Sequence, residues 1–260
     1  MMERKNAGEV RWLSSSLIDP NVFVHGFPER TGGVSKGPQA SLNLRDRSGS
    51  DEKNVEENKR ILGAAAGFDA AKLVVTQHVH GTSVWSTSDA PLVPNEFDGM
   101  VTTKPGVVLG AFAADCLPVL FADSGHRVCG AAHSGWRGTV NKIGPNVIGS
   151  MVKAGAVAGD IVVAIGPSIG PCCFEVGNEV ALEFATAFPG ESGIVNRDRE
   201  KPHVDIYLAM KSQLLAVGVA ESHIDERPPC TRCEGERFFS YRREGSPGGV
   251  HMGFIALRGG

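Results

Sequence analysis

Short apolar runs bounded by glycine, aspartate or proline recur along the chain, above all in its middle third. Several of these runs are continuous rather than alternating, which is typical of strands covered on both faces. Their length and boundaries predict strands. The predicted strands are residues 22–25, 73–75, 107–112, 118–121, 128–132, 161–165, 238–241 and 253–257.

Amphipathic patterns predict helices between these strands. Residues 51–66 are polar on one side and apolar on the other, with Ser50 in the N-cap position. Similar patterns predict helices over residues 139–154, 177–188 and 205–217. Strands and helices do not follow a regular βαβ rhythm, which favours an α+β fold with mixed β-sheets flanked by helices.

The organisation of the chain indicates one domain over residues 1–260. No long linker, charge block or repeat divides it. The first ten residues are polar, and we expect them to form a loose N-terminal segment.

Composition and charge exclude several classes of protein. The chain has 260 residues, 42% of them hydrophobic and 21% charged, and its net charge is −3. This balance leaves no excess of basic residues with which to bind a nucleic acid. No apolar run approaches the roughly 18 residues of a membrane span. Six cysteines are too few for a disulfide scaffold, and no secretory signal is evident. We therefore expect a cytoplasmic protein with reduced thiols.

Three phrases place good metal ligands at the ends of predicted strands. They are residues 77–81 with His78 and His80, residues 114–118 with Cys116, and residues 131–138 with His133. If residues 77–81 extend a strand, His78 and His80 face the same side, because residues two apart share a face.

Two imidazoles and a thiolate are a natural ligand set for Zn²⁺, and three protein ligands leave a position for water or substrate. The spacings of 36 and 17 residues between His80, Cys116 and His133 match no local zinc motif, so the fold would have to assemble the site. The alternative is that each histidine is an ordinary polar residue at a strand end and Cys116 a small buried hydrophobe.

The turn at residues 135–138 has two interpretations. It leads into a predicted helix, whose free N–H groups attract anions, and Arg137 adds a bidentate donor. Alternatively it is a plain strand-to-helix turn with a solvated Arg137.

The remaining cysteines carry no clear assignment. Pro229 precedes a Cys-x-x-Cys phrase at Cys230 and Cys233, but no histidine in the chain has glutamate two residues later, which disfavours a cytidine-deaminase-type zinc site. Cys172 and Cys173 are adjacent. We interpret the Cys230/Cys233 pair as incidental thiols and leave the roles of all four cysteines open. The Walker phosphate-binding motif and the dinucleotide-binding motif Gly-x-Gly-x-x-Gly are absent from the sequence.

Taken together, these phrases resemble the YfiH-like family, also called the laccase-domain or multicopper polyphenol oxidase-like family. The resemblance extends from His25 to Leu257. It rests on His25-Gly26-Phe27 with Arg30, Gly32-Gly33-Val34-Ser35, Ser41-Leu42-Asn43-Leu44, Glu57-Asn58, Val79-His80-Gly81, Ala114-Asp115-Cys116, His133-Ser134-Gly135-Trp136-Arg137-Gly138, Ile165-Gly166-Pro167, Phe174-Glu175-Val176-Gly177 and Phe239-Ser240-Tyr241-Arg242-Arg243.

The resemblance implies a single α+β domain and a metal, usually zinc, held by His80, Cys116 and His133. It implies purine nucleoside chemistry, namely phosphorolysis of adenosine, inosine, guanosine and methylthioadenosine, and deamination of adenosine. Some family members resemble peptidoglycan editing factors that remove serine from a muropeptide precursor, and others are described as copper polyphenol oxidases. His78 stands where the family commonly has glutamine, which leaves it as a fourth ligand or a supporting residue.

These implications suggest roles for further residues. For phosphorolysis, Arg30 and Arg137 can orient phosphate, and Asp115 can accept a proton or support a metal-bound histidine. Asn43 can bond to substrate hydroxyls. For Asp115 and Asn43 the alternative is backbone bonding in turns.

We therefore predict a zinc-dependent purine nucleoside enzyme whose partners are a small-molecule nucleoside and phosphate, with no nucleic acid and no membrane. A zinc amidase acting on muropeptide precursors is the second hypothesis, since an open metal site also polarises a carbonyl. A non-catalytic metal-binding protein is less favoured, because structural zinc sites normally have four ligands. Copper oxidation is least favoured, because eight scattered histidines do not supply a multicopper cluster; adventitious copper at the same ligands is compatible with the sequence. The sequence predicts no oligomeric state.

Overall fold

Two mixed sheets form the centre of the computed structural model, which describes residues 2–46, 49–86 and 96–259. The strands in these ranges are, in chain order, β1 (Met2–Ala7), β2 (Val10–Ser15), β3 (Phe23–Pro28), β4 (Leu73–Val75), β5 (Val84–Ser86), β6 (Gly99–Thr102), β7 (Val108–Ala113), β8 (Leu117–Asp123), β9 (Val128–Ser134), β10 (Val162–Ile165), β11 (Val195–Asn196), β12 (His203–Val204) and β13 (His251–Leu257). The larger sheet has the order β1-β2-β3-β13-β7-β4 and the smaller β10-β8-β9-β6-β5. One parallel pair occurs in each, β4 with β7 and β5 with β6. These are the mixed sheets of an α+β fold, as predicted.

The helices lie outside the two sheets. In the described ranges they are α1 (Glu52–Ala66), α2 (Trp136–Val140), α3 (Ile143–Lys153), α4 (Asn178–Ala187), α5 (Ile206–Ala216) and α6 (Tyr241–Glu244). The predicted helix at 51–66 is confirmed, although Asp51 rather than Ser50 is its N-cap and accepts hydrogen bonds from the amides of Lys53 and Asn54. A side-chain oxygen in this position satisfies amides that have no partner inside the helix.

Alternate residues of the central strands face different layers. In β8, Leu120 packs between the two sheets, whereas Val119 and Phe121 face α3 and α5 on the other side. Residues of β13 divide in the same way, Ile255 facing the sheet interface and Phe254 facing α1. Because both faces of these strands are covered, their sequences are continuously apolar rather than alternating.

Residues 2–15 form a hairpin, unlike the loose segment that the sequence predicts over the first ten residues. Strand β1 pairs antiparallel with β2 from Met2↔Ser15 to Ala7↔Val10, and Gly8 adopts φ 59° in the turn. The side chain of Arg4 donates two hydrogen bonds to Glu29, at 2.8 and 2.6 Å. Backbone pairing needs no apolar side chains, which is why a polar sequence can form this edge strand.

Two further predictions were wrong in detail. The helix predicted at 139–154 is divided into α2 and α3, because Lys142 adopts a left-handed conformation with φ 70° that an amphipathic pattern does not reveal. The strand predicted at 238–241 is a loop leading into α6, where the Ser240 hydroxyl accepts a hydrogen bond from the amide of Arg243. The apolar run at Phe238 and Phe239 reflects the full burial of both side chains rather than a strand.

None of the helices in the described part of the chain is long and apolar enough to cross a membrane.

Candidate metal centre

His80, Cys116 and His133 come together where the chain crosses from the larger sheet to the smaller. Cys116 lies in the short connection between β7 and β8, and His133 lies on β9, opposite Pro118 of β8. His80 lies in the loop between β4 and β5. One ligand atom from each of these three residues lies within 4.8 Å of the others, so the group can hold a metal ion.

The loop that carries His80 does not extend strand β4. Strand β4 ends at Val75, and His80 itself has φ 59°. The carboxylate of Asp98 accepts hydrogen bonds from the consecutive amides of Val79, His80 and Gly81, at 3.2, 3.1 and 2.7 Å. Amides that converge on one carboxylate cannot form a strand ladder, and this convergence explains the turn.

Asp98 also orients His133. Its Oδ1 lies 2.8 Å from Nδ1 of His133, and its backbone oxygen accepts from the amide of His133 at 2.8 Å. With Nδ1 bonded to a carboxylate, Nε2 is the atom available as a metal ligand. A carboxylate behind a ligating histidine fixes its tautomer and ring orientation. The buried Asp98, which the sequence did not single out, therefore organises two of the three ligands.

The charges of this group favour a bound cation. Burial alone would lower the pKa of His133, but interactions with Cys116 and Asp98 raise it to about 9. Burial and the neighbouring His133 lower the pKa of His80. Burial would raise the pKa of Asp98, but hydrogen bonds from His133 and from backbone amides lower it. A divalent cation can replace the proton on His133, as metal binding to such ligands generally requires.

His78 lies outside the ligand group and supports it from behind. Its ring stacks on His133 with centroids 4.4 Å apart and planes 8° apart. Burial and the nearby His133 hold its pKa well below the ordinary value, and neither ring nitrogen has a hydrogen-bond partner among the described residues. His78 is therefore a neutral ring that fixes the plane of His133.

Gly135 brings the backbone against the ligands. A Cβ at this position would lie 2.4 Å from Nδ1 of His80 and 3.4 Å from Sγ of Cys116. Its φ is −72°, so alanine would not strain the backbone. The absence of a side chain here leaves space for His80 to approach Cys116.

We expect Gly135→Ala to weaken metal binding without unfolding the protein. The added methyl group must displace the His80 ring, and a displaced ligand should lower metal affinity by roughly 10- to 100-fold, the range seen for disturbed metal surroundings. Zn²⁺ titration monitored with a competing chelator measures the change. Gly149→Ala is the control, because a Cβ there meets no atom within 4 Å; equal affinity of the two variants would contradict the prediction.

The three ligands open into a cavity of about 460 Å³. Beside the ligands, its wall contains aromatic and cationic side chains. These aromatic and cationic side chains include Phe112, Phe174, Tyr241, Arg45 and Arg242. Such a mixture of apolar walls and a few charged groups is typical of small-molecule sites.

Asp115 also lines this cavity, and its carboxylate is held on both sides. One oxygen accepts from the hydroxyl of Thr231 and the other from the amide of Arg242, each at 2.6 Å. Its backbone has φ 88°. Asp115 thus connects the cavity wall to the turn at Thr231 and to the first turn of α6.

The other predicted substrate-binding residues lie elsewhere. Arg30 is absent from the cavity wall and is bonded to Glu244 and to the carbonyl of Gly235. Asn43 is fully buried; its amide nitrogen donates to Gln39 and its oxygen accepts from the amide of Val250. Both residues hold loop structure outside the lining of this cavity, and their contact with substrate stays a prediction.

Arg137 lies near the site but at the surface. It is exposed in the first turn of α2, 4.3 Å from the centroid of the Trp136 ring, and outside the cavity lining. Its charge contributes to lowering the pKa of His80, after burial and His133.

Several known proteins that are similar to the chain carry the names of purine nucleoside enzymes. It is 38% identical over 259 residues to "Purine nucleoside phosphorylase LACC1" of Mus musculus, a match covering 96% of this chain and 59% of that protein. It is 41% identical over 243 residues to the "Purine nucleoside phosphorylase" of Deinococcus radiodurans, covering 93% of this chain and 92% of the relative. It is 34% identical over 234 residues to "Adenosine deaminase RL5" of an unknown prokaryotic organism, covering 85% and 89%.

The fold agrees with a solved structure. The crystal structure of YlmD from Geobacillus stearothermophilus superposes with a TM-score of 0.85 at 34% identity, covering 95% of this chain and 96% of that one. A family model described as multi-copper polyphenol oxidoreductase laccase matches residues 24–258. The chain therefore belongs to this laccase-like family, the YfiH family, as its sequence phrases had indicated.

Proposed function

We propose that the chain is a zinc-dependent purine nucleoside enzyme that phosphorolyses adenosine, inosine, guanosine and methylthioadenosine and also deaminates adenosine. The observation that carries the proposal is the cavity itself, where the metal-capable group lies beside aromatic and cationic side chains. The names of the mouse, Deinococcus and RL5 relatives, which are two purine nucleoside phosphorylases and an adenosine deaminase, support it. The chain spans 59% of the length of the mouse protein, and we propose that the shared part carries the activity.

The donor set fits zinc. Two imidazoles and one thiolate are preferred zinc ligands, and three of them leave one position of a tetrahedron open. When bound, zinc supplies a Lewis acid in the cavity. Within the described residues the histidine- or cysteine-containing clusters are this group and a cluster of four cysteines, neither of which has the many histidines of a multicopper centre.

Aromatic side chains supply the surface for a purine. Phe174 and Tyr241 line the cavity, and 53% of Tyr241 is exposed. Flat apolar rings bind a flat base by stacking, at a cost in conformational freedom smaller than that of long aliphatic chains. For phosphorolysis, we place the base against these rings and the ribose toward the metal ligands.

Arg45 and Arg242 supply the charge for phosphate. The guanidinium of Arg242 donates to the backbone oxygen of Glu175 at 3.0 Å and lies 5.9 Å from the centroid of the Phe174 ring. The guanidinium of Arg45 lies 5.4 Å from the centroid of the Phe112 ring. A fixed guanidinium recognises phosphate oxygens in a planar, bidentate way. We assign phosphate to these two arginines, with Arg137 attracting it at the rim.

Asp115 acts mainly by positioning. Each of its oxygens already accepts a short hydrogen bond, from Thr231 and from the amide of Arg242. A carboxylate so engaged holds the Arg242 segment in place. Taking a proton from substrate would weaken both bonds, so this second role is less favoured for Asp115.

The size of the cavity favours a nucleoside over the muropeptide precursor of the alternative hypothesis. A volume of about 460 Å³ is within the range of small-molecule sites, roughly 300 to 1,000 Å³. A sugar-peptide nucleotide would extend beyond it along the surface.

Product analysis by liquid chromatography and mass spectrometry tests the proposal. Zinc-loaded protein is incubated with adenosine, with and without phosphate, beside Cys116→Ala as the inactive control. Cys129→Ala is the matched cysteine control, because Cys129 is buried between the sheets and away from the ligands. We expect adenine and ribose 1-phosphate only with phosphate, and inosine without added phosphate.

The controls separate the outcomes. Both products should be lost in Cys116→Ala and retained in Cys129→Ala. If the wild-type protein forms neither product above the level of Cys116→Ala, the purine proposal is wrong, and the zinc amidase hypothesis should be tested on muropeptide precursors.

A further inference from the structure

Four cysteines outside the cavity form a second cluster of metal-ligand atoms. Cys172 and Cys173 lie in a turn between β10 and α4, and Cys230 and Cys233 lie in a turn before α6. All four are free thiols, and their sulfur atoms lie within 4.8 Å of one another. The fold thus brings together two cysteine pairs about 60 residues apart, which the sequence alone did not suggest.

The distances between the sulfur atoms suit a metal rather than a disulfide. Sγ of Cys233 lies 3.6 Å from Sγ of Cys172 and 3.5 Å from Sγ of Cys173. A disulfide bond is about 2.05 Å long. Four thiolates at about 2.3 Å around a tetrahedral zinc ion lie about 3.8 Å apart. Sγ of Cys233 is thus nearly equidistant from the other two sulfur atoms, at a separation close to that between two ligands of a tetrahedral zinc ion.

The surroundings of the cluster also match a thiolate site. The amide of Gly170 donates to Sγ of Cys230 at 3.3 Å, and Nη1 of Arg232 donates to Sγ of Cys173 at 3.6 Å. Hydrogen bonds to the ligands and a nearby cation offset the negative charge that four thiolates bring to a divalent ion. A Cβ on Gly170 would lie 3.3 Å from Sγ of Cys172, so the backbone closely follows the cluster.

We propose that Cys172, Cys173, Cys230 and Cys233 bind a second zinc ion in a closed, structural site. Four protein ligands leave no position for substrate, which distinguishes this site from the open group at His80, Cys116 and His133. The proposal concerns different residues from those of the proposed function and does not depend on it.

A zinc ion here would join a loop that lines the cavity to a second loop that holds Asp115 of its wall. The first loop carries Ile169 and Phe174, both of which line the cavity. The second carries Thr231, which donates to Asp115, and the carbonyl of Thr231 accepts from Arg243. The structural ion therefore holds the proposed base-stacking ring and the anchor of Asp115 in a fixed relation.

The test counts and identifies zinc in reduced, full-length protein after dialysis. Elemental analysis should find two zinc ions per chain in the wild type and in Cys129→Ala, and one in Cys116→Ala. In zinc-loaded Cys116→Ala, X-ray absorption should show a shell of four sulfur atoms at about 2.3 Å. Cys116→Ala is the central sample because all four cysteines of the cluster remain in it, so no ligand variant of the cluster has to fold.

Other results would overturn the proposal. One is Cys116→Ala without zinc, or with an ion surrounded by nitrogen or oxygen atoms. Another is reduced wild-type protein with a single zinc ion that is lost with Cys116. Each of these outcomes leaves the four cysteines without a metal, whatever the activity of the wild-type protein toward adenosine. Failure of the purine proposal with an intact four-sulfur shell would leave the second site standing.

Discussion

Cys116→Ala should remove one zinc ion per chain and reduce phosphorolysis of adenosine to background while the protein stays folded. The site has three protein ligands, His80, Cys116 and His133, so alanine at 116 leaves two histidines. Disturbing only the surroundings of a metal costs roughly 10- to 100-fold in affinity, and loss of a thiolate ligand should exceed this. Zinc content after dialysis and initial rate measure the two effects.

Folding should survive because Cys116 contributes little to the core. It is half-buried in the connection before β8, next to the fully buried Leu117, whose packing does not change. Far-ultraviolet circular dichroism and the thermal midpoint monitor the fold, with Cys129→Ala as the matched control. Zinc content equal to that of the wild type would show that Cys116 is not a ligand.

Asp98→Asn should weaken both the metal site and the fold. The carboxylate accepts from the amides of Val79, His80 and Gly81 and bonds to Nδ1 of His133, whereas an asparagine amide nitrogen cannot accept. We expect zinc affinity to fall roughly 10- to 100-fold. Unpaired buried donors should lower the free energy of unfolding by about 1–3 kcal/mol. Chelator competition and denaturant unfolding measure the two losses.

The stability effect of Asp98→Asn should depend on pH. Because the pKa of Asp98 is lowered in the folded protein, its ionised form stabilises the fold above the ordinary value of 3.8. This contribution is lost as the pH falls through the lowered pKa. The difference between wild type and variant should therefore be full at pH 7 and shrink below about pH 4; a difference that grows in acid would contradict the assigned role.

The positions of the central strands follow from the sequence alone. Strands β4, β7, β8, β9, β10 and β13 lie within two residues of the predicted runs. Strands β7, β8, β9 and β13 are buried along their whole length, and such strands leave a continuous apolar signal in the sequence.

The errors occur where backbone bonding or a single residue decides the structure. β1 pairs through its backbone despite polar side chains, and Lys142 divides a helix by one left-handed conformation. Residues 77–81 turn because their amides meet the carboxylate of Asp98, which lies 17 residues after Gly81. A pattern of apolar positions contains none of this information.

The metal-capable group of His80, Cys116 and His133 could be predicted because metal chemistry limits the choice of residues. Histidine and cysteine are uncommon and occur here in recognisable phrases. Asp98, Arg45 and Arg242 could not be predicted in the same way, since aspartate and arginine are common. Only the fold shows that Asp98 bonds to His133 and that Arg45 and Arg242 line the cavity. For the same reason the sequence alone did not reveal that Arg30 and Asn43 lie outside the lining of this cavity.

The most direct test of the zinc-dependent activity is a titration of metal-free protein with Zn²⁺, followed by phosphate-dependent release of adenine from adenosine. The metal-free protein should be no faster than Cys116→Ala, and the rate should rise until the Cys116-dependent site is filled. Zinc dependence would be contradicted if metal-free protein cleaves adenosine as fast as zinc-loaded protein. It would also be contradicted if zinc-loaded Cys116→Ala cleaves adenosine as fast as the wild type.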